Sequence, residues 1–414
     1  MKSHCTEQDG GENIYQQLGV KRRINAAGTL TRLGGALMAP EVIAAMASAA
    51  TSSIDIGELQ AAASRTISDI TGAEAGIVTT GASAALTLAC AASMTRWDIA
   101  KMAALPHAES FAHEVLIMRT HRTGYSHALR ASGARLVDIG HNDRGTGAGV
   151  RGIEPWEIEA SISSKTAAFA FSATPENMID LPTVVSVCRL HNIPVIVDAA
   201  AQLPPKSNLR LIFELGADLV AFSGGKAIGG PQASGILAGR RDLVGAALIQ
   251  QLDMDVAPET WMHSDLIDRE ALKGGVPHHG IGRGFKAGKE EIVGLIVALE
   301  RFANSDDEAT NASLALRLKR IAKNLDNLPG ISLQLVSAKE TGRVPHLRIL
   351  IDVSIAKIDA LGLSRALQCA DTPVHLSERF AQHGMLIIDP QVLREDDEEV
   401  LVATFKGVLP SQLF

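Results

Sequence analysis

The chain has 414 residues, of which 46% are apolar, 21% charged and only 4% aromatic, and its net charge is −7. That balance excludes a disordered chain, collagen, a coiled coil and a disulfide scaffold. The acidic excess argues against nucleic acid as the main partner, because neutralising phosphates takes a surplus of Lys and Arg.

The four cysteines, Cys5, Cys90, Cys188 and Cys369, stand far apart with no C-x-x-C spacing. Zinc and thioredoxin-type chemistry are therefore not expected, and a reduced compartment is the simpler reading. The first residues are polar and contain no apolar signal core. No apolar run approaches the ~18 residues that a membrane-spanning helix needs. A soluble cytoplasmic protein with no membrane partner is expected.

Residues 1–24 read as a polar surface arm leading into a Gly-rich stretch, Asn25 to Gly35. A helix is expected from Pro40, where proline suits a first helical turn, and another from Gly57 to Thr71. Ala75–Thr80 is a short apolar strand, followed by Gly81-Ala82-Ser83 and a helical run to Met94. Further strands are expected at Val115–Met118, Ala134–Ile139, Thr166–Phe171, Pro194–Val197, Leu219–Phe222 and Gly235–Ala238. Helices at Trp156–Ser163 and Thr183–His191 separate some of them. Apolar strands alternating with helices imply a parallel sheet covered on both faces.

Beyond the Gly- and His-rich stretch Lys273–Lys289, a helix at Glu290–Phe302 leads into a different rhythm. Helices near Ser313–Leu328 and 395–408 alternate with strands near Ile331–Leu335, His346–Ile351 and Met385–Ile388. The expected organisation is an N-terminal segment at 1–45, a large α/β domain at 46–289 and a small α+β domain at 290–414.

Three segments carry candidate chemistry. In Ala217–Gln232 a buried strand ends in Ser223-Gly224-Gly225-Lys226, a glycine turn that presents one amine. Desolvation at an apolar strand end favours the neutral amine that Schiff-base chemistry needs; a solvated loop lysine is the alternative. In Pro194–Gln202 an apolar strand ends at Asp198, where open α/β sheets bind ligands; a helix N-cap is the alternative. In Val78–Ser83 a strand, a glycine and a hydroxyl open a helix, whose first N–H groups suit a phosphate; an ordinary cap is the alternative. Together they suggest pyridoxal phosphate: a lysine for the aldehyde, an aspartate for the ring nitrogen, a helix start for the phosphate.

The segment FSGGKAIGGPQASGILAGR resembles the lysine motif of the fold-type-I pyridoxal-phosphate enzymes. With INAAGTLTRLGG, GAEAGIVTTGASAAL and MRTHRTGYSHALRASGARLVDIG, residues 20 to 300 resemble the bacterial selenocysteine synthase group, the L-seryl-tRNA selenium transferases. That group carries a basic N-terminal tRNA domain, and an acidic residue precedes its lysine where this chain has Gly225. VDAAAQLPP and IGRGFKAGKEEIVGL instead resemble the small-molecule branch typified by D-glucosaminate-6-phosphate ammonia-lyase.

The resemblance implies α,β-elimination on a hydroxylated or sugar-derived amino acid, releasing ammonia and a keto acid. An amino-acid racemase or epimerase shares the α-proton step and is the same-chemistry runner-up. The charge disfavours a selenium transferase on seryl-tRNA, and the presence of Lys226 and Asp198 in one chain disfavours a catalytically silent scaffold. Lys226 would hold the cofactor and act as acid and base at the substrate α-carbon. Asp198 would face the ring nitrogen, Ala200 would pack on the ring, and Gly81, Ala82, Ser83 and Ser223 would cup the phosphate. His121 falls where this fold often places a ring-stacking catalytic group, unless it is a surface histidine. Arg32 and Arg283 are candidates for the substrate carboxylate, each at even standing with a surface ion pair. The family's homodimers or larger assemblies are expected here too.

Other signals are discounted. Gly147-Ala-Gly149-Val-Arg-Gly152 fits a dinucleotide fingerprint but lies in a polar loop. His113-Glu114 lacks the second histidine of a zinc protease. His278-His279 has no nearby carboxylate or cysteine to complete a metal set. The run Glu395–Glu399 reads as a solvated helix start.

Overall fold

The computed structural model describes residues 14–141, 152–262, 264–272 and 275–409. Two compact units emerge, one from residues 34–307 and one from the described parts of 1–33 and 308–414. The boundaries thus differ from those expected at 45/46 and 289/290. The helix Lys289–Ala303 packs on the helices Pro40–Ala50 and Ile56–Thr71, burying Ile292, Leu295 and Leu299. An amphipathic helix joins whichever unit covers its apolar stripe, and its own pattern does not say which.

The strands are, in chain order, β1 (Ile24–Ala26), β2 (Ala75–Thr79), β3 (Glu114–Met118), β4 (Arg135–Ile139), β5 (Thr166–Ser172) and β6 (Val195–Asp198). There follow β7 (Leu219–Ser223), β8 (Gly235–Gly239), β9 (Ile331–Val336), β10 (His346–Ile351), β11 (Val374–Leu376) and β12 (Met385–Ile388). Seven of them form one sheet in the order β2-β8-β7-β6-β5-β3-β4. Strands β3 to β7 are parallel, as expected. Strand β8 is not: it runs antiparallel to both β7 and β2. The link from Ser223 to Gly235 holds no helix and is too short for the usual crossover, so the chain reverses. The two reversals cancel, and β2 points the same way as β7. The carboxyl ends of β2, β3, β6 and β7 therefore share one edge of the sheet.

Side-chain alternation builds a core on each face. On one face Leu116, Phe169, Phe171, Val195, Val197 and Phe222 are packed. On the other, Val115, Ala168, Ala170, Ile196 and Ala221 meet the helix Ala82–Thr95. That helix is buried along nearly its whole length. Its run of alanines and the small strand residues opposite let backbone approach backbone, which is how so few aromatic rings suffice. The amphipathic helix Ile56–Thr71 is capped by the Asp55 carboxylate, which accepts from the Glu58 N–H, and ends at Gly72 with φ of 76°. Such an N-cap is worth about 1 kcal/mol.

The second unit pairs β12-β10-β9 antiparallel and β1 with β11 in parallel. The acidic run before the last helix is not simply solvated. Asp397 is buried and bonded to Arg22 at 2.5 Å, and Glu398 is held by Arg317 and Arg320. Cys90, Cys188 and Cys369 are free thiols, while Cys5 and most of the 147–152 glycine motif lie outside the described residues.

Candidate active site

Lys226 follows β7 by three residues, in a turn closed by bonds from the Gly229 N–H to the Lys226 carbonyl and from the Gly230 N–H to the Gly224 carbonyl. The turn is packed too tightly for side chains. A Cβ on Gly225 would lie 2.7 Å from the Gln232 Cα, and the Gly225 carbonyl accepts from the Ala36 N–H. This close approach explains the glycine at 225. Ser223 ends β7, half-buried, on the same edge.

Asp198 ends β6 beside β7. No helix begins there, so it is no N-cap; the next helix starts at Asn208. Its carboxylate accepts from the Ala200 N–H at 3.1 Å, which sets the half-buried Ala200 directly after it. Burial pushes the Asp198 carboxyl above its ordinary range, and the Ala200 amide and the Lys226 charge pull it partly back. The amine and the carboxylate therefore feel one another across adjacent strand ends.

His121 closes the short turn after β3. It is 5% exposed, so it is no surface histidine. Its ring lies edge-on to Phe171, with centroids 4.6 Å apart, and it lines one cleft with Tyr125, Ser126, Ser172 and Asp198. Burial pushes its pKa down to about 4. The Asn177 Nδ2 sits 2.9 Å from its Nε2. Sequence reasoning missed Asn177, which lies in a polar turn far from His121 in the chain and carries no local signal.

Gly81 caps the helix Ala82–Thr95 with φ of 125° and no side-chain hydrogen bond. Open space adjoins the place its Cβ would take. The first-turn N–H groups of Ala82 and Ser83 have no intrahelical acceptor by construction, and the helix dipole favours an anion there. The backbone of Gly235 presses on this turn: its Cβ would lie 2.5 Å from the Ala82 nitrogen.

The two arginine candidates differ. Arg283 donates to Asp253 at 2.7 Å, in the segment Ile281–Phe285 that packs beside Thr80. Arg32 lies in the other unit, exposed, and has no hydrogen bond or ion pair among the described residues. The histidine pair has carboxylates after all, since Asp253 and Asp255 come together with His279. His279 Nδ1 accepts from the Met254 N–H and Nε2 faces Asp255 at 3.2 Å. A neutral ring has one proton and one lone pair, and both are taken, which leaves no nitrogen for a metal.

These features fit pyridoxal phosphate on three counts. A half-buried carboxylate would suit a cationic ring nitrogen, an open helix start would suit a phosphate, and an amine lies close enough for its charge to act on that carboxylate. The fold and the site define a fold-type-I pyridoxal-phosphate enzyme. The aminotransferase class-V family model matches residues 57–348, and the chain belongs to that family. It is 30% identical to a D-glucosaminate-6-phosphate ammonia lyase of Salmonella typhimurium, over 96% of this chain and 98% of that one. A solved structure of a D-glucosaminate-6-phosphate ammonia-lyase superposes with a TM-score of 0.79, covering 96% of this chain and 98% of the other at 30% identity. A 5'-C-glycyluridine monooxygenase-decarboxylase of a Streptomyces species is 27% identical over 98% of this chain and 94% of its own. An L-seryl-tRNA(Sec) selenium transferase of Geotalea daltonii is 26% identical over 68% of this chain and 60% of its own.

Proposed function

We propose that this protein is a pyridoxal-phosphate-dependent ammonia-lyase that removes water and then ammonia from a hydroxylated, sugar-derived amino acid. What carries the reading is that the half-buried Asp198 closes one strand and Lys226 follows the end of its neighbour, where the Lys226 charge lowers the carboxyl that burial raises. The full-length similarity to an ammonia lyase supports the choice of reaction.

Bound in the cleft, pyridoxal phosphate supplies an electron sink for the charge left at the substrate α-carbon. Asp198 would keep the ring nitrogen protonated. Gly81, Ala82, Ser83 and Ser223 would bind the phosphate through backbone and hydroxyl donors. His121 and Ala200 would face the ring. Lys226 would hold the aldehyde until the substrate amine replaces it, and the freed amine would take the proton from the substrate α-carbon. The β-hydroxyl leaves with a proton as water; addition of water at the amino carbon then releases ammonia and leaves a keto acid. Arg32 and Arg283 remain the candidates for the substrate carboxylate, and Arg283 would have to leave Asp253 to bind it. The proposal includes a cytoplasmic homodimer or larger assembly that binds no nucleic acid.

Purified protein is expected to show the visible absorption band of lysine-bound cofactor, and Lys226→Ala is expected to lose it. Screening D- and L-amino acids, with and without a distal phosphate, is expected to find one that yields ammonia and keto acid in equal amounts. Wild-type protein without a band sinks the cofactor reading. Exchange of the α-proton for deuterium without keto acid replaces the lyase by a racemase or epimerase.

A further inference from the structure

We propose that Asn177 is a positioning residue that locks the His121 ring as a neutral platform. This rests on the reading of His121 as the group facing the cofactor ring.

The orientation of the Asn177 carboxamide is not free. Its oxygen accepts from the Thr174 N–H at 2.8 Å, and its nitrogen donates to the Ser172 carbonyl at 2.8 Å. A backbone N–H only donates and a carbonyl only accepts, so a flipped amide would face two like groups. The second hydrogen on Nδ2 is therefore aimed at His121 Nε2, 2.9 Å away. On the other side of the ring, Nδ1 meets the Ser172 N–H at 3.3 Å. Both ring nitrogens thus face donors. A neutral ring opposes one of them and an imidazolium opposes both. The pair of donors therefore holds the ring neutral.

The surrounding charges do not reverse this. Arg119 and Arg122 share the turn with His121, and Arg122 is bonded to Asp138 at 3.0 Å. Tyr125 follows on the same segment, and Asp198 faces the cleft from β6. Asp138 is taken by Arg122, which among these groups leaves Asp198 to favour a charged ring, and it is already held by the Ala200 amide and Lys226. Burial acts in the same direction as the two donors and pushes the His121 pKa to about 4. The consequence concerns the cofactor. A ring nitrogen protonated by Asp198 makes the pyridine ring cationic, and a second cation stacked on it would repel it. A neutral imidazole, with its hydrogen bonds in the ring plane, leaves its faces free to stack.

The test follows the His121 imidazole by NMR as a function of pH in the full chain, with and without pyridoxal phosphate. Its signals are assigned by their loss in His121→Gln. In wild type they are expected not to titrate between about pH 5 and 8, where an ordinary histidine does. The nitrogen shifts are expected to show one protonated and one unprotonated ring nitrogen across that range. Asn177→Asp replaces the donor by an acceptor, so the ring is expected to charge with a midpoint above about 6.5. Relative to wild type, pyridoxal phosphate affinity of Asn177→Asp is expected to fall about tenfold per pH unit below that midpoint, because one proton opposes binding. A wild-type midpoint near 6.5 or a folded Asn177→Asp variant with a silent His121 each overturns the proposal. Should Asn177→Asp fail to fold, the wild-type titration still decides. If wild type binds no pyridoxal phosphate, the proposed function fails while the titration of the free protein still tests Asn177.

Discussion

Asp198 destabilises the fold that carries it. Burial raises its carboxyl pKa, with the Ala200 amide and Lys226 only partly offsetting that. The folded chain then holds the proton more tightly than the unfolded chain does. Stability from this group is therefore present at low pH and is lost as pH rises through the ordinary carboxylate range toward the raised value. Asp198→Asn removes that cost. Without cofactor the variant is expected to melt at or above the wild-type temperature at neutral pH. Its pyridoxal phosphate affinity is expected to drop roughly tenfold to a hundredfold, the worth of one charge-assisted hydrogen bond. Equal affinity in titrations of the two proteins would remove Asp198 from the ring nitrogen. Lys226 and Asp198 are legible in the sequence because each is a lone polar group at the end of an apolar strand. Asn177 is not, because its meaning lies in a histidine 56 residues away.

At the level of elements, the turn proposed to hold the phosphate depends on a neighbouring strand that has no side chain at the contact. A Cβ at Gly235 would lie 2.5 Å from the Ala82 nitrogen, so Gly235→Ala must displace the start of the helix Ala82–Thr95. The expected cost is about 1–3 kcal/mol in thermal or urea unfolding, together with weaker pyridoxal phosphate retention. Gly284→Ala is the control: nothing lies within 4 Å of its Cβ, and no comparable loss is expected. Most strands and long helices are readable from apolar periodicity. The helix Arg241–Gln251 is not, because it is buried from Leu243 to Gln251, Gln250 and Gln251 included, and shows no polar face. The reversed direction of β8 escapes the pattern too, since a buried strand reads the same in either direction.

The whole molecule carries a net charge of −7, and among the described residues no helix is long and apolar enough to cross a membrane. Seryl-tRNA is expected to give no gel shift at low salt, where phosphate contacts are strongest; a shift that about 0.2 M salt abolishes would revive the transferase reading. What the sequence determined by itself is the succession of apolar strands and which polar residues close them. Burial forces apolar runs, and a polar residue that closes one stands out along a single line. What only the tertiary structure decided is which strand reverses, which unit claims the helix Lys289–Ala303, which arginine is left unpaired, and which amide meets His121. Each of these is a contact between residues far apart in the chain, and no local pattern records a partner that folding alone brings near.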